Sequence, residues 1–324
     1  MTYRARRLLM RAPLFASGRR LLKGITFRRY SGQSLYDVLL RVIGNLQRHE
    51  IIDRANGVAF NLILAIFPAI IFLFTLTPYL TAYFPRISQE NIMAFLSDIL
   101  PQSMFDVISE TVLDIVMIQR GGLLTFGFVV ALFLATNGMM ALIRAFNACY
   151  KTVEVRSAWR TRLTATLLTV LLALVLFLTM ALMVAGQVAV DYVSTHLRDL
   201  QHLDLDDYSI YLFNLMRFSV VFVGFFLSIS CIYYFGPSVH YSWRFVSWGS
   251  LIATILSMIL SYGFSAYVAR FGSYNKLYGS IGVLIALMVW IQMLTFVLLA
   301  GYEINATLHQ MRRKRENNPE PNGR

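Results

Sequence analysis

Six long apolar segments limit most strongly what this chain can fold into. They cover roughly residues 57–84, 122–143, 163–190, 212–235, 245–269 and 280–302. A helix needs about 20 mostly apolar residues to cross a bilayer, and each segment reaches that length. The third segment carries no charge, whereas the fourth contains Arg217 and has the weakest signal. One such segment could be a buried helix of a soluble protein, but six predict an all-α integral membrane protein with six transmembrane helices.

The composition excludes an ordinary water-soluble domain. Only 14% of the residues are charged and the mean hydropathy is +0.59, whereas soluble domains have about 25% charged residues. Cys149 and Cys231 lie in unrelated contexts, and no metal-binding or nucleotide-binding motif is present. We therefore expect no cofactor, no metal and no enzymatic activity.

The basic residues predict the orientation of the chain. Of the 29 Lys and Arg residues, 23 fall in the segments 1–56, 144–162, 236–244 and 303–324, and five fall in the alternate set of connections. Cytoplasmic connections collect Lys and Arg, so this distribution predicts cytoplasmic N- and C-termini. Acidic residues of the connections fall mostly on the other side.

The sequence divides into three parts. A basic cytoplasmic arm is expected over residues 1–33, a membrane domain over 34–308 and a polar, basic tail over 309–324. The arm lacks an apolar core long enough for a signal peptide, although an organellar transit peptide would have a similar composition. We expect it to lie against anionic lipid headgroups, with no nucleic acid as partner.

Amphipathic helices are predicted outside the six spans. Apolar residues recur at helical spacing from Leu35 to Leu46, which predicts a helix that either lies in the membrane interface or packs beneath the bundle. The long outer segment 85–121 predicts two short amphipathic helices broken at Pro101, which would cap the outer face.

Polar residues inside or beside the spans are the candidates for function, because they are costly in a membrane. The predicted topology brings five of them to the cytoplasmic ends of the helices: Asn61, Arg144, Asn147, Glu303 and Asn305. We expect Glu303 to pair with Arg144 or Arg54. Such a pair would either fix helix packing or belong to a polar vestibule that binds a charged headgroup or couples to an ion. Gln292 and Asn137 are predicted to make interhelical hydrogen bonds.

Two further patterns concern packing. Small residues recur every four positions in the fifth span, which predicts close approach of another helix along one stripe: Gly249, Ala253, Ser257, Ser261 and Ser265. Pro68 and Pro78 lie inside the first span and predict a kink, a feature that transporters use at binding sites but that other membrane proteins also have.

Several segments resemble the YihY/virulence factor BrkB family of bacterial inner-membrane proteins. They are AFNLILAIFPAIIF in the first span, NGMMALIRAFNACYKTVEVRSAWRTRL after the second, and the half of the chain from YYFGPSVHYSWRF to LLAGYEINATL. The resemblance covers about residues 38–308 and is looser in 85–121 and 190–215. It implies six transmembrane helices in a bacterial cytoplasmic membrane.

Position by position, the residues similar to the family's are Pro68, Asn137, Arg144, Asn147, Pro237, Tyr274, Tyr278, Gly279, Trp290, Gly301, Glu303 and Asn305. The resemblance implies little about activity. Members have been labelled ribonuclease BN, but this sequence has no cluster of His and Asp that would support the label.

Three hypotheses of function follow. The first is a transporter or flippase for a lipid-like or anionic substrate, based on the intramembrane polar groups, the prolines of the first span and the basic inner rim. The second is a non-transporting scaffold that organises the envelope through its basic arm and acidic outer connections. The third, a membrane-bound hydrolase or ribonuclease, has the least support.

Overall fold

The computed structural model describes the chain in seven helical segments with their adjoining turns. The described residues are 35–48, 51–80, 119–149, 154–197, 205–238, 245–270 and 275–317, together with 93, 94, 97, 105, 109, 110 and 112–114. The helices are α1 (Leu35–Arg48), α2 (Ile51–Leu80), α3 (Gly121–Cys149), α4 (Ala158–Leu197), α5 (Leu205–Phe235), α6 (Trp248–Arg270) and α7 (Asn275–Asn317). The protein is all-α over the described residues.

Six of the helices are long and apolar enough to cross a membrane, which confirms the predicted number. The qualifying segments are Ile51–Tyr79, Gly121–Cys149, Ala158–Met183, Leu215–Phe235, Trp248–Val268 and Leu284–Met311. The helices extend beyond the apolar segments, most of all α7, because a helix continues into water wherever its polar residues pack or are solvated. The division of the chain at residue 308 stays a prediction, although α7 passes that point as one helix.

The six spanning helices form a ring in chain order. Each packs against the next, and α7 closes the ring against α2. The hairpin of α2 and α3 is the longest contact, and glycines permit it. A Cβ atom on Gly127 would lie 3.3 Å from the backbone nitrogen of Phe72, and one on Gly138 would lie 3.5 Å from the backbone nitrogen of Leu62 and 2.6 Å from its side chain. The absence of side chains at these positions lets the two backbones approach closely.

One end of the ring holds most of the core. We call it the α1 end, where α2, α4 and α6 begin and where α3 and α5 finish. The core cluster there includes Ile51, Phe146, Cys149, Leu299 and Tyr302, each 0% or 1% exposed. Towards the opposite end packing is sparser: none of the described residues of α4 after Leu168 is buried.

Helix α1 packs beneath the ring against α7. Val38 and Val42 contact Leu308 and Met311 in a small separate core. Ile43 is exposed, so α1 also has an apolar side chain on a face away from α7. A location of α1 in the membrane interface stays a prediction, alongside the observed packing against α7.

Two predictions about helix shape are not decided by the structure. Helix α2 continues as one helix through Pro68 and Pro78, and the kink predicted there stays a prediction. The two short amphipathic helices predicted over 85–121 lie almost wholly outside the described residues, as does the basic arm 1–33.

Candidate functional site

The carboxylate of Glu303 is the most unusual group of the α1 end. Glu303 is 0% exposed, and the hydroxyl of Thr307 donates to its Oε1 at 3.4 Å. Asn45 of α1 in turn donates to Thr307 at 3.2 Å. The thiol of Cys149 hydrogen-bonds with the same carboxylate. Three elements, α1, α3 and α7, therefore meet around one buried acidic side chain.

Arg54 is the basic side chain that the geometry favours as the partner of this carboxylate. It is partly buried, and its charge acts on Cys149, which is hydrogen-bonded to Glu303. Arg144, the other predicted partner, is exposed. The ion pair itself stays a prediction, with Arg54 as the better placed of the two guanidinium groups.

Three aromatic side chains pack together, including that of Tyr302 next to Glu303 in the chain, and we call them the aromatic cluster. Phe146 stacks on Tyr302 with ring centroids 4.3 Å apart, and Tyr233 meets both rings edge-on at 5.5 and 5.6 Å. All three are buried, and Tyr233 donates to the carbonyl oxygen of Leu298 at 2.5 Å. The aromatic cluster joins α3, α5 and α7 at a level next to Glu303, which follows Tyr302 in α7.

Asn305 caps the start of α6 from the neighbouring helix. Its Oδ1 accepts from the backbone nitrogen of Gly249 at 2.8 Å and its Nδ2 donates to the hydroxyl of Ser247 at 2.8 Å. The first backbone nitrogens of a helix lack partners within it, so an amide supplied by α7 satisfies one of them. Ser247 and Ser250 complete the cap through reciprocal bonds to each other's backbone nitrogens at 3.2 Å.

The contact that permits this cap is a glycine crossing. A Cβ on Gly249 would overlap the carbonyl oxygen of Gly301, and a Cβ on Gly301 would lie 2.7 Å from the Cβ of Ala253. The small-residue stripe predicted for the fifth span therefore contacts α7. Burial falls along that stripe, from Gly249, Ala253 and Ser257, which are buried, to Ser265, which is exposed.

A second polar cluster, which we call the clasp, ties the last turn of α3 to two connections at the α1 end. Asn147 donates to Glu154 at 2.7 Å and accepts from the backbone nitrogen of Ser238 at 3.0 Å. Arg156 forms an ion pair with Glu154 at 2.8 Å and donates to the carbonyl oxygen of Gly236 at 2.7 Å. Buried Pro237 lies between Gly236 and Ser238, whose backbone groups these bonds hold in place. The clasp holds the turn after α5 against the ends of α3 and α4.

The clasp also affects the protonation of Glu154. Partial burial raises the pKa of its carboxyl group, but hydrogen bonds and charge from Arg156, with a further hydrogen bond from Asn147, outweigh it and hold the pKa below its ordinary value. The ionised form of Glu154 is therefore the form that the fold stabilises.

The predicted polar residues do not all converge. Asn147 and Asn305 lie in two different clusters, and Asn61 donates to the carbonyl of Gly57 in its own helix at 2.8 Å. Gly279 belongs to α7, but its surroundings lie outside the described residues. Gln292 donates to Asn56 at 2.6 Å, which confirms the interhelical hydrogen bond predicted for it.

Several members of these clusters were missed by sequence reasoning. The charge pattern places Glu154 and Arg156 only in a basic connection, although an acidic residue two positions before an arginine in a turn is close enough to pair with it. Thr307 and Asn45 carry no such signal, because threonine and asparagine are common in helices. Their role depends on the position of α1 against α7.

These observations define the class of the protein: a multi-pass membrane protein whose ring of six helices is closed at one end around buried polar groups. The sequence profile of the family described as Virulence factor BrkB matches residues 42–324. The chain therefore belongs to this family, as its resemblance had indicated.

Individual relatives agree with this assignment. The chain is 31% identical over 275 residues to the "Putative ribonuclease-like protein YfkH" of Bacillus subtilis, covering 84% of this chain and 94% of that protein. Shorter similarities link it to proteins named "UPF0761 membrane protein". One from Tolumonas auensis is 35% identical over 72 residues, 22% of this chain and 24% of that protein, and one from Vibrio cholerae is 33% identical over 87 residues, 27% of each. No solved structure matches the chain.

Proposed function

We propose that the protein is a transporter or flippase-like protein of the bacterial cytoplasmic membrane that moves a lipid-like or anionic substrate. Its α1 end would face the cytoplasm, as the distribution of Lys and Arg favours. The substrate would be recognised by its charge, through the basic groups beside Glu303 and along the cytoplasmic rim. No catalytic step is part of this proposal.

The observation that carries the proposal is the complete burial of Glu303 at the closed end of the ring. Removing a carboxylate from water is expensive unless it is paired and hydrogen-bonded, and a neutral residue would pack there at lower cost. Ionisable groups at such positions in membrane proteins are found on substrate and ion pathways. The thiol and hydroxyl partners keep the carboxylate hydrogen-bonded while the ring is closed.

The burial also suggests what the carboxylate does. Glu303 lies beside the aromatic cluster, so any molecule passing through the ring at this end must displace or pass these side chains. Arg54, whose guanidinium is only partly buried, offers a positive charge at the same level. An anionic headgroup could exchange places with the carboxylate as the partner of that arginine.

The test uses purified protein in vesicles of phosphatidylethanolamine and phosphatidylglycerol that contain a fluorescent phosphatidylglycerol. Added dithionite bleaches only the outer leaflet, so movement of the probe between leaflets increases the bleached fraction. We expect faster loss of fluorescence with the wild-type protein than with empty vesicles. Fluorescent phosphatidylethanolamine, which has no net charge, is expected to move more slowly.

Glu303→Gln separates a role in transport from a role in folding, because glutamine keeps the shape but loses the charge. We expect this variant to unfold at about the same temperature as the wild type while the probe moves at least tenfold more slowly. Glu154→Gln is the matched control at the same end of the bundle, and it should lower stability without the same effect on transport.

Two results would contradict the proposal. If Glu303→Gln lowers only the unfolding temperature, the carboxylate has a structural role. If neither lipid probe moves in wild-type vesicles, the scaffold hypothesis becomes the better one. A ribonuclease or hydrolase activity that survives purification and is lost in a point variant would instead favour an enzyme.

A further inference from the structure

A set of buried polar side chains has no hydrogen-bond partner among the described residues of this chain. Its members come from four helices of the ring, and we call them the polar belt: Thr136 of α3, Ser228 and Ser230 of α5, Ser257 and Ser261 of α6, and the indole nitrogen of Trp290 in α7. Thr136, Ser230 and Ser257 are at most 1% exposed. Buried polar groups in proteins nearly always have a partner, either in the protein or in ordered water.

These hydroxyls differ from other buried hydroxyls of the same bundle. Thr75, Thr254 and Thr295 are equally buried, but each donates to the carbonyl four residues earlier in its own helix, at 2.6 to 2.8 Å. That bond is the usual way in which serine and threonine are satisfied inside membrane helices. Ser257, only three residues after Thr254, does not make it, so its hydroxyl is available to a group outside its own helix.

Two contacts fix where the α6 part of the polar belt lies. Gly249 meets Gly301 at the α1 end of the α6–α7 pair, and Phe264 stacks on Trp290 nearer the opposite end, with ring centroids 5.3 Å apart. Ser257 and Ser261 lie between these contacts on the small-residue stripe that faces α7. Both serines and the indole nitrogen of Trp290 therefore belong to one interhelical space.

The α3 and α5 members lie at a similar depth. Helices α3 and α5 run in the same direction, and Ile143 lies next to Gly236 near the α1 end. With a rise of 1.5 Å per residue, Thr136 and Ser230 both lie about 10 Å beyond that contact. The polar belt thus crosses the ring on the far side of the aromatic cluster.

We infer that the polar belt surrounds an internal water site at the middle of the membrane, held chiefly between α6 and α7. All its members are neutral, so the site suits water and other uncharged hydrogen-bonding molecules rather than ions. Small side chains line α6 beside the hydroxyls, and two to four polar groups are what a buried water requires. Water at this depth does not depend on whether Glu303 takes part in transport.

Radiolytic footprinting of the wild-type protein in lipid nanodiscs tests this directly. X-ray pulses generate hydroxyl radicals from water inside the protein as well as outside, so a closed site needs no path for a reagent. Trp290 is compared with Met293, a readily oxidised residue of the same helix that is 49% exposed on the apolar surface of the bundle. We expect oxidation of Trp290 to be at least tenfold faster than that of Met293.

A pair of variants then tests whether the serines hold the water. Ser257→Val removes the hydroxyl and fills the space, and it should slow oxidation of Trp290 at least threefold. Leu256→Val is the matched control, because Leu256 is adjacent and exposed on the apolar surface. Ser261→Ala serves the same purpose if Ser257→Val does not fold. Oxidation of Trp290 no faster than that of Met293, or unchanged by the serine variants, would overturn the inference.

Discussion

Gly301→Ala tests the glycine crossing, on which the α1 end depends. A Cβ at this position would lie 2.6 Å from the hydroxyl oxygen of Tyr233, 2.7 Å from the Cβ of Ala253 and 2.9 Å from the carbonyl oxygen of Gly249. Ordinary contacts of a Cβ begin at 3.4 Å, so the shortfall is 0.5 to 0.8 Å in three directions. Two of the three neighbours are a backbone atom and a Cβ, which move only if the helices separate.

The cost follows from that separation. Overpacking of a well-packed core costs about 1–3 kcal/mol. Moving α7 away also stretches the bond from Gly249 to Asn305 and the bond from Tyr233 to Leu298, each worth about 0.6 kcal/mol on average in a membrane protein. Alanine is a better helix former than glycine, and this offsets about 1 kcal/mol of the destabilisation. We expect a net destabilisation of about 2 kcal/mol.

The same chemical change at Gly263 provides the control. Gly263 is in α6, and a Cβ there would meet nothing within 4 Å. Gly263→Ala is expected to stabilise by up to about 1 kcal/mol, so the two variants should differ by about 3 kcal/mol. The measurement is the free energy of unfolding in mixed micelles titrated with sodium dodecyl sulfate. Gly301→Ala should cost less in an Ala253→Gly background than in the wild type, because that background removes one of the three clashes.

A Gly301→Ala variant as stable as Gly263→Ala would refute the reasoning, because it would mean that α6 and α7 do not touch at this crossing. A smaller cost of Gly301→Ala in the Ala253→Gly background would show that the cost arises at the contact with Ala253. An equal cost in both backgrounds would place it elsewhere, at Tyr233 or at the backbone of Gly249.

Three further predictions concern the α1 end. The pKa of Glu154 is lower in the folded protein than in the unfolded chain. Ionised Glu154 therefore contributes stability that is present above about pH 4.3, its unfolded pKa, and that is lost as the pH falls through the folded pKa. Arg156→Ala should lower the unfolding temperature at pH 7 and make that temperature less dependent on acid pH. Phe146→Ala should cost about 3–5 kcal/mol in unfolding titrations, whereas Phe177→Ala, at a position 72% exposed, should cost much less. Reporter fusions at residue 150 and at the C-terminus should both be active in the cytoplasm, and activity beyond the membrane at either position would reverse the orientation.

The helices of this protein could be predicted from the sequence far better than the contacts between them. Apolar length determines how many helices can cross a membrane, and that information is local to each segment. The partner of Asn305 depends on how α7 is aligned with α6, which is set by two glycines far apart in the chain. Gln292 could be predicted to bond to another helix, because an amide inside a span must find a partner, but Asn56 could not be named without the closure of the ring.

The same limit applies to the surroundings of Glu303. Its position near the end of the last span could be read from the sequence, and so could the presence of arginines at that level. The burial of Glu303 could not, because it depends on α1 packing against α7 and on the packing of α3 and α5 against the same part of α7. Arg144 and Arg54 are equivalent in a topology diagram, whereas in the structure one is exposed and the other is near the thiol that contacts the carboxylate.

The distribution of packing along the membrane normal connects the proposals. At the α1 end, the glycine crossing, the aromatic cluster and the clasp join α3, α5, α6 and α7, and the core cluster adds residues of α2 and α4, so this end resists deformation. Beyond the polar belt, α4 and α5 contact each other through Thr179 against Gly224 and Met216 against Gly186, and most of their described side chains there are half-buried or exposed. Sparse apolar contact is the physical condition for local motion. A change of shape that admits a substrate should therefore begin at the opposite end of the ring, and passage past Glu303 should be the slower step because it requires the α1 end to open.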